Sequence, residues 1–97
     1  MTYVLSAVAW DDLLTIWTFS ADRWDEDQAD LYIDSMTLRF VWLAQNRGLW
    51  HERPGLGEGL CSYMQKSHVI IFREVKSRLQ IIRVLHASMD PDLHVGH

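Results

Sequence analysis

Between Asn46 and Gly59 the chain carries four glycines and Pro54, a composition that favours loops over regular helix or strand. The hydrophobic rhythm differs on the two sides of this segment. Before it, apolar residues recur at helical spacing; after it, they form short β-branched runs bounded by turn residues. A chain patterned this way folds as a helical half and a strand half joined by a loop. Its class is α+β.

Tyr3–Ser6 reads as a short strand, and Ser6 is placed to cap a helix from about Ala7 to Arg23. Ala9, Leu13, Ile16, Ser20 and Trp24 share one face of that helix, with Trp17 at its edge. Asp25 suits a turn. A second helix follows from about Glu26 to Gln45, with acids in its first turn where the helix dipole favours them. Its core face is Ala29, Tyr32, Ile33, Met36, Phe40, Leu43 and Ala44. So short a connection predicts an antiparallel helical hairpin.

Beyond the loop, strands are expected at Leu60–Gln65, His68–Val75 and Leu79–His86, joined by the short turns Lys66-Ser67 and Lys76-Ser77-Arg78. Alternation in the last strand puts Ile82 and Val84 on one side, with Ile81, Arg83 and Leu85 on the other. The predicted order is β-α-α-β-β-β: an N-terminal helical hairpin packed on a small antiparallel sheet. One domain spans 1–97, with a flexible tail at about 91–97.

At 97 residues, 48% hydrophobic and 23% charged, the chain is able to bury one core and is not of disordered composition. No run approaches the about 18 apolar residues of a membrane span, and no secretory signal is expected at the N-terminus. Cys61 is the single cysteine, so no internal disulfide forms; a cytoplasmic location fits. The net charge of −4 argues against a general nucleic-acid binder. Residues 1–45 carry eight acids against Arg23 and Arg39, and residues 46–97 carry seven bases against five acids, so the halves stand at −6 and +2. Either these are ordinary solvated helix faces, or a basic sheet side faces an acidic or nucleic-acid-associated partner.

Both helices carry more apolar surface than one sheet covers. Trp10, Leu14, Trp17 and Ala21 line the first, and Leu31, Leu38 and Trp42 the second. Either loop and tail cover them, or they dock a partner helix or a second copy of the chain. The five histidines lack metal-ligand spacing, with His86 and His94 too far apart for one helical turn, and Cys61 has no CxxC partner; no metal or cofactor is expected. Gly55-Leu56-Gly57-Glu58-Gly59 follows no strand, opens no helix and lacks the lysine of a phosphate loop. Glu74, Arg73, Arg83 and His86 supply the group types for RNA cleavage. The alternative is strand-surface charge, since Arg73 and Glu74 point to opposite faces.

Several segments together resemble the ParE toxins of bacterial type II toxin–antitoxin systems, within the RelE/ParE superfamily. They are Tyr3-Val4-Leu5-Ser6, Ala9, Asp12-Leu13, Ile16-Trp17, Arg23-Trp24 and Gln28-Ala29-Asp30-Leu31-Tyr32. The likeness continues through the glycine-rich loop into Gly59-Leu60, Ser67-His68-Val69-Ile70 and Ile82-Arg83-Val84-Leu85-His86, then Met89-Asp90. The resemblance implies a ParD-like antitoxin that wraps the toxin and alone binds operator DNA. It also implies a target: DNA gyrase for ParE-like toxins, ribosome-bound mRNA for RelE-like relatives. With only Lys66 and Lys76 as lysines, the chain resembles the first group. It departs from the family's pattern at Cys61, where arginine is usual, at Asp25, where glycine is usual, and at Trp10 and Leu14, commonly polar.

The expected function is therefore non-catalytic gyrase inhibition, neutralised by the antitoxin. An mRNA interferase or an inactive family member are the alternatives. Antitoxin contacts are expected at Trp10, Leu14, Trp17, Leu31, Leu38 and Trp42, and target contacts at Arg73, Arg78, Arg83, His86 and the tail.

Overall fold

Ser6 ties the two halves of the chain together. It follows strand β1 (Tyr3–Leu5) and caps helix α1 (Ala7–Arg23), its Oγ accepting from the Ala9 amide at 3.0 Å. The same hydroxyl donates to the Ile82 carbonyl at 2.8 Å, and the Ser6 amide donates to the Ile81 carbonyl at 2.9 Å. The computed structural model describes residues 1–89; the tail expected to be flexible, with His94 and His97, lies outside the described residues.

Helix α1 stops at Arg23. Asp25 opens α2 (Glu26–Gln45), its carboxylate accepting from the Gln28 amide at 2.7 Å. Asp25 is thus a strong N-cap rather than a simple turn residue. Trp24, expected on the core stripe, is 67% exposed. It is the C-cap of α1, with φ −117° and ψ −87°, so the helical periodicity that would have aimed it inward has already ended.

The loop is more ordered than its glycines suggest. Two 3₁₀ turns, Arg47–Leu49 and Pro54–Leu56, flank a two-residue strand, β2 (His51–Glu52), too short for any periodicity to show. Trp50 pins the loop, donating from Nε1 to the Leu43 carbonyl at 2.8 Å and packing edge-on against Phe72. Gly59 holds φ +75°, a left-handed conformation that side chains disfavour.

Strands β3 (Cys61–Gln65), β4 (His68–Val75) and β5 (Arg78–His86) form the expected antiparallel meander. Two further strands widen it to the order β1-β5-β4-β3-β2. β1 pairs with β5 in parallel, because the chain leaves β1 through the helices and returns by two hairpins. The β4–β5 turn places Lys76 and Ser77 at φ 52° and 62°. Turns with both central residues left-handed usually take Asn-Gly, and side chains there cost about 1–2 kcal/mol per residue.

A bulge breaks the alternation of β5. Ile71 pairs with Arg83 but Phe72 pairs with Ile81, so Ile82 is the extra residue. Ile81 and Val84 consequently share the helix-facing core with Leu79, while Ile82 and Leu85 join the cluster of Ile71 and Val69 on the opposite face. The strict alternation that grouped Ile82 with Val84 does not hold. The bulge also points the Ile81 and Ile82 carbonyls to one side, where Ser6 takes both.

The main core lies between helices and sheet, with Met36, Phe40, Leu43, Ile70, Phe72 and Leu79 fully buried. Each contributes about 1.5–3 kcal/mol of burial free energy. On the far face Leu56 and Leu60 cover Ile71 and Leu85, so the glycine-rich loop shields that part of the sheet. Cys61 is a core position. Burial, then the Glu52 carboxylate, pushes its thiol above the usual range.

Candidate functional site

The six residues expected to meet a partner on the helices separate into three places. Trp10 and Leu14, both about 60% exposed, precede Trp17 along one flank of α1 at helical spacing. Trp17 is half-buried and bridges the helices, its Nε1 donating to Asp30 at 2.8 Å. The antiparallel register set by that bond brings Trp10 to the level of Leu38, itself exposed. Trp42 faces the other way, packed at 5.6 Å on Tyr63 and covered by the Arg39 guanidinium, whose Nε donates to Gln65. There it packs within the fold, beside the main core.

Leu31 opens instead into a groove of about 1040 Å³ between the hairpin tip and the end of the sheet. Ile16, Phe19, Trp24, Leu31, Leu85 and Met89 form its apolar walls. Phe19 and Trp24 expose 64% and 67% of their surface, an unusual amount for aromatic rings. Phe19 belongs with Asp12 and Thr15 on the flank of α1 opposite Trp10, a helical stripe that could have marked it in the sequence.

One corner of the groove is polar. The Tyr32 hydroxyl meets His68 Nδ1 at 2.5 Å, and Lys66 Nζ stands 5.5 Å from the Tyr32 ring. His68 and His86 face each other across β4 and β5, edge to face at 5.4 Å. His86 Nδ1 accepts from the Ser88 amide at 3.1 Å. Burial, and then the neighbouring His86, holds the His68 pKa below its ordinary value. Sequence spacing compared His86 with His94 and so passed over this pair, which only strand register brings together. Among the described residues no group of three His, Cys, Asp or Glu side chains could hold a metal ion.

Arg83 sits inside the fold. Its Nε and Nη2 donate to the two Asp12 oxygens at 2.8 and 2.9 Å, and the Val84 amide donates to the same carboxylate at 2.9 Å. The side chains are only 18% and 14% exposed. Asp12 thus links α1 to the strand just past its bulge, and its hydrogen bond raises the Arg83 pKa further.

The remaining candidates do not converge either. Arg73 donates to Gln80 at 3.2 Å, and Glu74 forms an ion pair with Arg47 at 2.6 Å. Glu74 is opposite Leu79 and His68 opposite His86, which puts Glu74 and His86 about 20 Å apart along β5 at strand rise. The acid, cation and imidazole that RNA cleavage would combine are therefore dispersed. Arg73 and Arg78 lie at the β4–β5 turn, His86 at the other end of the strand.

Comparisons with known proteins agree with this architecture. The family model described as the ParE toxin of the type II toxin–antitoxin system parDE matches residues 3–91. The chain is 37% identical over 94 residues to Toxin ParE1 of Caulobacter vibrioides, covering 97% of both chains. It is 30% identical over 91 residues to Toxin ParE1 of Mycobacterium tuberculosis, covering 93% of each. A solved structure described as a chromosomal ParDE TA system from P. aeruginosa shares the fold, with a TM-score of 0.79 at 18% identity, over 91% of this chain and 97% of that one. The chain belongs to the ParE toxin family of type II toxin–antitoxin systems.

Proposed function

We propose that this ParE-type toxin acts by binding, inhibits DNA gyrase, and is neutralised by a ParD-like antitoxin that covers its apolar helix surfaces. The observation that carries the reading is the groove beside the helical hairpin, apolar along its walls and lacking any covering element among the described residues. An amphipathic helix fills such a groove with side chains at three- and four-residue spacing. Leu31, with Phe19 and Trp24, forms the principal antitoxin contact; Trp10, Leu14 and Leu38 extend it over the outer hairpin, with Trp17 fixing the seam. Dispersal of Glu74, Arg83 and His86 supports inhibition by binding rather than bond cleavage.

On this reading Arg73, Arg78 and His86 are exposed to the target, while Arg83 acts by holding β5 against α1. A supercoiling assay is the test. Purified toxin without antitoxin should inhibit gyrase, and equimolar antitoxin should relieve the inhibition; active toxin that leaves supercoiling unchanged would remove gyrase as the target.

The Tyr32–His68–His86 cluster favours one second reading, an mRNA interferase, because it places imidazoles beside a phenol and Lys66 in an open groove. Transcript cleavage on translating ribosomes, abolished by His86→Ala, would support it.

A further inference from the structure

The β4–β5 turn carries a second, smaller cleft of about 390 Å³, lined by Val4, Val75, Lys76, Arg78 and Gln80. Strand register explains its composition. Val4, Gln80 and Arg73 form one rung across β1, β5 and β4, and Val75 with Arg78 forms the next rung on the same face, two residues along. The core residues Phe72, Leu79 and Ile81 face the helices; the cleft opens on the other side of the sheet, past the part that the loop covers. Its floor is aliphatic and its rim cationic. Val4 and Val75 remain more than a third exposed.

Arg73 is oriented by Gln80, and no acid pairs with Lys76 or Arg78 among the described residues. The turn itself is an uneconomical choice. Lys76 and Ser77 occupy left-handed conformations that Asn-Gly would adopt with less strain. Backbone strain of this kind clusters where a side chain must be presented, and here it raises a lysine beside two arginines at a hydrophobic notch.

We infer that this cleft binds an acidic, extended protein segment, one aliphatic side chain of which enters the notch while flanking carboxylates meet Arg73, Lys76 and Arg78. The inference deepens the reading of Arg73 and Arg78 as target-facing and rests on it. Charge complementarity selects the ligand class. A DNA duplex engages many phosphates at once and would offer no aliphatic group to the notch, while the helical half of the chain, at −6, would repel it.

The test uses the full chain, isotope-labelled, titrated with a blocked Glu-Asp-Leu-Asp-Glu peptide and followed by amide shifts. Shifts confined to Val4 and Arg73–Gln80 are expected, with affinity lowered roughly tenfold by Lys76→Glu with Arg78→Glu, or by alanine in place of the peptide leucine. Unchanged shifts elsewhere establish that the variant folds. The inference is overturned if the peptide shifts no residue of the cleft, if the charge-reversed variant binds it equally well, or if a short DNA duplex binds there in preference. A variant that loses the peptide yet still inhibits gyrase would instead remove the cleft from the target interface, leaving its ligand chemistry in place.

Discussion

Asp12 accepts three hydrogen bonds from β5, two from Arg83 and one from the Val84 amide, in a setting nearly closed to solvent. Removing it takes two acceptors from the Arg83 guanidinium and the acceptor of the Val84 amide, and losing hydrogen bonds to a charged group is expensive where water is largely excluded. Asp12→Ala should therefore lower unfolding free energy by about 3 kcal/mol in urea titrations. Asp12→Ala with Arg83→Met should cost less than the sum of the two single changes, and additivity would show that the pair is not coupled. His68 sets a pH dependence. Its folded-state pKa is below the ordinary 6.5, so the unfolded chain takes up the proton more readily. Its contribution is present above that value and is lost as pH falls through it toward the folded-state pKa. Unfolding free energy should decline on acidification from about pH 7, by at most about 1.4 kcal/mol per unit for one proton, and His68→Gln should flatten the profile.

Helix boundaries in this chain are set by single side chains. Ser6 and Asp25 each accept from the amide three residues on, at Ala9 and Gln28. Asp25→Ala should destabilise by about 1 kcal/mol, whereas Asp25→Gly should cost only a few tenths because glycine tolerates the capping position. Thermal unfolding of the two variants measures the difference, and equal losses would deny the cap its role. Strand β5 shows the converse case. Its boundaries follow from composition, but its facing does not, since one bulged residue exchanges the faces of Val84 and Leu85.

Across the whole molecule, surfaces are apportioned by what remains uncovered. The sheet takes one face of each helix, and the loop from Asn46 to Gly59 takes part of the sheet's far face. The groove flanked by Phe19, Trp24 and Leu31 is left open. Phe19→Asp with Leu31→Asp should preserve the fold, because both side chains are exposed, yet weaken antitoxin binding by roughly a hundredfold, as loss of buried anchors does. Calorimetry with purified antitoxin reads this, and wild-type affinity in the variant would exclude the groove as the docking site.

The element order and helix limits were legible because caps and hydrophobic period act locally, within one turn of helix or one rung of strand. The same local patterns exposed an apolar surplus on Trp10, Leu14, Leu31 and Leu38. They were silent on where those residues end up, since neighbours across a sheet or hairpin are distant in sequence. Tertiary structure alone placed Asp12 on Arg83, more than seventy residues away, paired His68 with His86, turned Trp42 inward and brought Phe19 and Trp24 to one groove. Periodicity determines which elements form and which faces are apolar; packing decides which of those faces is buried and which is left for a partner.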